Sequence, residues 1–398
     1  MKDFDIRIRY TFIMFLTVVG CFLTSGAHAA DIGQFVSVSG TRLALNNQTW
    51  MPVGMNLMDH ETIWDVKKTQ PTLTWLRDKD FADLEKSGFN SARLVVKSDY
   101  FQDVDPPHKF SEAGFKWLDN VIALAKRHNI KLILDMHMPT GGVQQDYQIN
   151  DDNQAFWNDD WAKGRFVDVW REIARRYANE PTVWAYDAMN EPATTDFKAY
   201  QNLMRSVVNS IRLYDDSHVI MLQKGMKIND DGSWSMEYPQ TDDANIVRSI
   251  HFYQPTDFTL QGATWLNSPT SSLRGESSTT DAAIFYCHCE ESDDAAICCN
   301  HSSTTAASDL SLNLQNMVAE AQSSTHAVVL TEFGLLWPKK LTGQPDWIVD
   351  VAKLASNLGI GWHYWHYTGT TCSQSFNLKT LYGVCHPMTL RLLSEAAK

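Results

Sequence analysis

Basic residues are too few to balance the acidic ones: Lys and Arg number 34 against 47 Asp and Glu, a formal charge of −13 over 398 residues. An acidic surface repels phosphate, which argues against nucleic acid or an anionic membrane as the main partner and leaves neutral ligands open. No Gly-rich phosphate loop follows the first strand-like segment, so a doubly wound nucleotide-binding sheet is disfavoured. No apolar run reaches the roughly 20 residues of a membrane-spanning helix, and no integral span is expected. The seven cysteines include no pair of C-x2-C knuckles. No Pro, Ser and Thr linker leads to a second module, which makes a single folded domain the expectation.

What is present is apolar and aromatic: 44% of residues are hydrophobic, with 14 Trp, 13 Tyr and 18 Phe, ample for a sizeable core. Aromatic rings beyond the needs of a core suit flat, uncharged ligands such as sugars. At the N-terminus, Arg7 and Arg9 precede an apolar run from Phe12 to Leu23 and a small-x-small site at Ala27-His28-Ala29. This pattern predicts a secretory signal over residues 1–29 and a secreted protein. Val18-Val19-Gly20-Cys21 also resembles a lipoprotein cleavage box, so anchoring at Cys21 is the alternative.

From residue 40 onward, short β-branched or apolar runs alternate with helical periodicity. Strands are predicted at 51–57, 90–96, 130–137, 182–191, 219–223, 245–253, 326–334 and 359–367, with helical patterns such as FSEAGFKWLDNVIALAKRHN, capped by Ser111, between them. Eight such strands predict an α/β fold of the (β/α)8 barrel (TIM barrel) type, whose active sites lie at the C-terminal strand ends. Asn56, Arg93, His137, Asn190, Glu191, His251, Tyr253, Glu332, Trp365 and His366 fall at those predicted ends. Arg93, Asp135 and His251 also interrupt apolar runs, and a buried charge must find a partner. Glu191 and Glu332 end the fourth and seventh strands, which face each other across a barrel. Two carboxyl groups so placed suit glycoside hydrolysis, one protonating the leaving oxygen while the other attacks or positions water.

Seven stretches occur in one order: GMN, NSARLVV, LDMH, MNEP, HFY, TEFG and a W-x-x-W run. Together they resemble glycoside hydrolase family 5, the cellulase-like retaining enzymes, over nearly all of residues 30–398. The resemblance implies that Glu191 is the acid/base and Glu332 the nucleophile. It implies that Arg93 and Tyr253 hold the nucleophile, that His137 and His251 contact substrate or support the catalytic pair, and that Trp365 floors the subsite where the bond is cut. Asn190 is placed to hydrogen-bond the sugar's 2-hydroxyl. The substrate implied is a β-linked neutral polysaccharide, β-1,4-glucan first, with mannan, xyloglucan or β-1,3-glucan as alternatives. No cofactor and no catalytic metal are needed, since two carboxylates suffice, and a monomer is expected. Trp64, Trp157, Trp161, Trp265 and Trp337 fall in or near predicted loops as further sugar platforms or as packing.

One segment departs from that pattern. Residues 268–308 hold Cys287, Cys289, Cys298 and Cys299 and repeat SSTT and DAAI. They resemble a translated palindromic repeat element inserted after the sixth strand, with a disulfide-stapled lid or a zinc site as lesser alternatives. Cys372 and Cys385, in the loop after the last strand, are expected to form a disulfide. The rival functions are a catalytically silent glycan-binding protein, which would have no chemical need of both glutamates, and a metal-binding protein centred on the cysteine cluster.

Overall fold

The computed structural model describes residues 34–65, 70–72, 75–103, 109–140, 151–192, 194, 196–228, 234–260, 303–322, 325–336, 345–370, 376–380 and 382–398. All belong to one compact unit, Asp31–Lys398. Eight parallel strands close into a barrel: β1 (Val53–Met58), β2 (Ser91–Lys97), β3 (Lys131–Met138), β4 (Val183–Asp187), β5 (Val219–Leu222), β6 (Ile246–Phe252), β7 (Ala327–Phe333) and β8 (Gly361–Tyr364). Each predicted strand is found, so the (β/α)8 expectation holds. Helices α1 (Asp78–Lys86), α2 (Glu112–Arg127), α3 (Asp160–Tyr177), α4 (Phe197–Arg212), α5 (Ser303–Gln322), α6 (Pro345–Asn357) and α7 (Pro387–Ala396) follow. Between β5 and β6 the described residues form an antiparallel hairpin, Gly225–Ile228 with Trp234–Glu237, in place of a helix.

Local chemistry starts the helices where the sequence places them. Ser111 accepts from the Gly114 N–H as the cap of α2, Asp159 accepts from Trp161 and Ala162 at α3, and Asp196 accepts from Ala199 at α4. Glu112 lies in the first turn of α2 and Lys126 and Arg127 in its last, in keeping with the helix dipole.

The barrel strands are buried on both faces, one toward the helices and one toward the axis. In β3, Leu132, Leu134, Met136 and Met138 join the core shared with the helices, whereas Ile133 belongs to a second cluster with Trp184, Ala185, Val219, Met221, Val247, Ala327 and Val329. Val36, Leu43 and Leu45 close that cluster, from or beside a small antiparallel sheet built of Ser37–Ser39, Arg42–Leu45 and Gln48–Trp50. Lys131 donates to the carbonyls of Gln34 and Pro181, tying this plug to β3. Asp135 and His137 continue the inward face of β3 above Ile133, so the axis changes from apolar to polar toward the C-terminal ends of the strands.

Most of the segment expected to be an insertion lies outside the described residues, as do its four cysteines. Its last residues, 303–308, open α5 instead of ending a loop; that stretch contains neither Gly nor Pro. Cys385 is disulfide-bonded, while Cys372, its expected partner, falls outside the described residues, as do the predicted signal and Cys21. Among the described residues no helix is long and apolar enough to cross a membrane.

Candidate active site

Arg93 organises the polar end of the barrel. It lies within β2, beside Asn56 of β1 and Ile133 of β3, and not at a strand end as the sequence suggested. Its guanidinium is fully buried and faces three carboxyl groups: Glu332 (Nη1–Oε1 2.5 Å), Asp135 (Nη2–Oδ1 2.8 Å) and Asp187 (Nε–Oδ2 2.9 Å). It also donates to Asn190 Oδ1 (2.8 Å) and Asn56 Oδ1 (3.1 Å). The Asn56 amide in turn donates to the Thr331 carbonyl at 2.9 Å. The charge that interrupted an apolar strand thus has its partners. One cation cannot neutralise three carboxylates. Burial pushes Asp135 up to about 7 against the pull of Arg93, and pushes Asp187 up to about 6.

Glu332 reaches this cluster because β7 is irregular. Strict alternation from Ala327 and Val329 would turn Thr331 inward and Glu332 outward. The register instead slips, Ile250 pairing with Leu330 and His251 with Glu332, so Thr331 is the extra residue of a bulge. A bulge re-aims the side chain that follows it. Glu332 then receives Arg93 at Oε1 and the Tyr253 hydroxyl at Oε2 (3.0 Å).

Glu191 is not on β4, whose ladder ends at Asp187, but in the turn beyond, at a φ of 39°. Its Oε1 lies 2.7 Å from His251 Nδ1, and the same nitrogen is 3.6 Å from Glu332 Oε2. For Glu191 burial pushes the carboxyl up, but the hydrogen bond and charge of His251 outweigh it, and the net direction is down. For His251 burial pushes the ring down, yet Glu332 and Glu191 together raise it above its usual 6.5. One oxygen of each glutamate and one nitrogen of His251 lie within 4.8 Å of one another. That spacing would suit a cation, but the guanidinium against Glu332 opposes one.

His137 sets its Nδ1 2.7 Å from Asp135 Oδ2, and burial pushes the ring down to about 3, so it is neutral. It stacks face to face on Trp365 (centroids 5.1 Å, planes 7° apart). Trp365 follows β8, and Gly334 permits its seat: a Cβ there would lie 2.3 Å from the Trp365 carbonyl oxygen. Trp64 packs edge-on to both His137 and Trp365 and is 41% exposed, extending the aromatic wall outward. Lys97 holds the Trp64 loop through the Thr62 and Asp65 carbonyls, at 2.8 and 2.7 Å.

The structure therefore gathers Arg93, His137, Asn190, Glu191, His251, Tyr253, Glu332 and Trp365, all eight expected site residues, with Asn56 beneath them. His366 does not join them: its Nδ1 pairs with the Thr368 carbonyl and burial pushes it down to about 3. Trp157 is buried against Phe156 and Tyr200, so it packs the core and is no platform. Trp161 is exposed on the first turn of α3, and Trp265 and Trp337 lie outside the described residues. Sequence reasoning missed Asp187 and Gln223. The former was legible as a charge interrupting an apolar run, as Asp135 was.

Residues 47–370 match the model of the cellulase family, glycosyl hydrolase family 5. Endoglucanase C of Acetivibrio thermocellus is 29% identical over 215 residues, 54% of this chain and 61% of that protein. Cellodextrinase A of Ruminococcus flavefaciens is 27% identical over 214 residues, 53% of this chain and 62% of that protein. The chain thus spans less than two thirds of the length of these curated relatives. Among solved structures, Cel5A of Thermotoga maritima superposes with a TM-score of 0.61 at 19% identity, covering 86% of this chain and 97% of that one. The cellulose synthase subunit Z of Clostridioides difficile does so with a TM-score of 0.61 at 19% identity, covering 86% and 99%. At these identities the structural likeness is one of fold.

Proposed function

Because the chain belongs to glycosyl hydrolase family 5, we propose that it hydrolyses a β-linked neutral polysaccharide, β-1,4-glucan first, with retention of configuration at the anomeric carbon. The observation that carries this reading is the closeness of the two carboxyl groups, with oxygens of Glu191 and Glu332 within 4.8 Å. Double displacement works at a carboxyl separation of about 5–5.5 Å, whereas an inverting site needs roughly 6.5–9.5 Å to admit water.

Glu332, held at both oxygens by Arg93 and Tyr253, attacks the anomeric carbon. As that bond forms, the proton held between Glu191 and His251 passes to the leaving oxygen. Water then enters, Glu191 takes its proton, and the hydroxide displaces Glu332 from the same face that the leaving group occupied. Asn190, its amide oriented by Arg93, meets the 2-hydroxyl, and Trp365 with Trp64 offers ring faces to the sugars. Binding of cellobiose by the Thermotoga maritima neighbour supports glucan, and binding of mannotriose by the same protein keeps mannan as the second reading.

The test is hydrolysis of soluble β-glucans and mannans, with the first-formed anomer followed by NMR. Release of the α-anomer would refute retention, and inactivity on every β-glycan would refute the substrate class. We place the protein outside the cytoplasm on its N-terminal signal pattern, a reading that bonded Cys385 supports, since disulfides persist in oxidising compartments. The intact mass of the exported protein decides between cleavage after Ala29 and lipidation at Cys21.

A further inference from the structure

The main chain of Glu191 lies beyond the end of β4. The Ala188 N–H makes the last ladder bond to β5, with the Met221 carbonyl (3.1 Å), and the Asn190 N–H bonds the Met136 carbonyl of β3 (3.1 Å). Glu191 follows in the left-handed region, at a φ of 39°. For a residue with a Cβ that conformation costs on the order of 1–2 kcal/mol, and it persists where surrounding contacts over-determine it.

Gln223, the buried residue just past β5, supplies such a contact. Its Oε1 accepts from the Glu191 N–H at 2.9 Å, and its Nε2 donates to both oxygens of Asp187, each at 3.2 Å. The amide cannot turn over, because its NH2 would then meet an N–H and its oxygen a carboxylate. Tyr200 of α4 donates to the Gln223 carbonyl at 2.8 Å, its ring seated against Gly225, where a Cβ would lie 2.4 Å from the ring. Asp187 accepts from Arg93, and Arg93 donates to Glu332. Hydrogen bonds therefore run behind the site from the Glu191 main-chain N–H through Gln223, Asp187 and Arg93 to the Glu332 carboxylate.

We propose that Gln223 is a positioning residue for the acid/base: by fixing the main chain of Glu191 against Asp187, it aims that carboxyl at the leaving-group oxygen. The inference rests on the reading of Glu191 as acid/base. It assigns to Gln223 a role in the acid-assisted step specifically, because the nucleophile is held through Arg93 and Tyr253 without it.

The experiment compares Gln223→Leu and Gln223→Glu with wild type on aryl β-cellobiosides spanning poor to good leaving groups. A displacement of about 1 Å costs on the order of 100-fold. For Gln223→Leu we therefore expect kcat/KM on poor leaving groups to fall about 10- to 100-fold, but by no more than about 3-fold on 2,4-dinitrophenyl cellobioside, where protonation matters little. In Gln223→Glu the new carboxyl can still accept from the Glu191 N–H, but it faces Asp187, with Arg93 and Asp135 behind and Glu191 and His251 in front. Held by a proton at acid pH and repelled when ionised, it should move the alkaline limb of activity to lower pH.

An unchanged leaving-group dependence in Gln223→Leu, whether activity is intact or falls equally on all substrates, overturns the proposal. Should that variant not fold, a Gln223→Glu pH profile identical to wild type overturns it instead. A wild-type enzyme whose rate ignores the leaving group on every substrate, with an unaffected Glu191→Ala variant, would refute the acid/base reading itself and the role of Gln223 with it, whereas a Glu191→Ala variant impaired on poor leaving groups beside an unaffected Gln223→Leu overturns the role of Gln223 alone.

Discussion

Replacing Arg93 with Met removes every donor of the buried guanidinium while keeping much of its volume. Asp135, Asp187 and Glu332, at 2.8, 2.9 and 2.5 Å from it in the native protein, then face one another without a cation. Removing one partner of a buried ion pair costs about 3–5 kcal/mol. An unfolding entropy of about 2.1 cal/mol/K per residue gives a unit of this size roughly 0.8 kcal/mol/K, so the melting temperature should drop by about 4–6 °C. The loss depends on pH with a definite sign. Asp135 and Asp187 have folded values of about 7 and about 6, above the ordinary 3.8 of an unfolded aspartate. Between those limits the folded state binds more protons than the unfolded one, so their contribution to stability falls as pH rises from about 4 to about 7. Without Arg93 both values rise further, the window extends upward, and the deficit relative to wild type grows between pH 5 and pH 8. Scanning calorimetry of both proteins at the two pH values is the assay. A variant melting with wild type, or with a larger deficit at pH 5 than at pH 8, would refute the view that Arg93 is there to neutralise the cluster.

Glu332→Gln should lower kcat by on the order of 10⁵-fold while the protein still folds, and a folded variant with native turnover would remove Glu332 as nucleophile. Glu191→Ala should still form the glycosyl-enzyme from substrates with good leaving groups, with azide accelerating turnover and yielding a glycosyl azide of retained configuration; no azide product means that the roles are wrong. The Glu191–His251 pair loses its shared proton only above the usual histidine value, since His251 is raised, so His251→Asn should move the alkaline limb of kcat/KM to lower pH, and an unmoved limb contradicts that sharing. Trp64→Ala should raise KM for cello-oligosaccharides by about 2- to 10-fold with little change in kcat, as expected for loss of one exposed stacking face, and an unchanged KM places Trp64 outside the cleft.

What the chain determines by itself is local. Short β-branched or apolar runs mark each barrel strand, Ser111 marks the start of α2, and the polar residues at or near the ends of those runs mark one face of the barrel, because strand propensity and capping depend on near neighbours. What the tertiary structure decides depends on register and closure between strands far apart in sequence. Alternation alone would send Glu332 outward, and only the slip between β6 and β7 at Thr331 brings it to Arg93. Trp157 and Trp64 both read as loop aromatics, yet one is buried against Tyr200 and the other stands beside Trp365, an outcome of helix packing that no local pattern carries. Gln223 looks like an unremarkable strand-end residue, and the partners of the charge at Asp187 stay hidden, until β2, β4 and β5 are laid side by side. A hydrogen bond from one strand to the loop above another exists only once the barrel has closed.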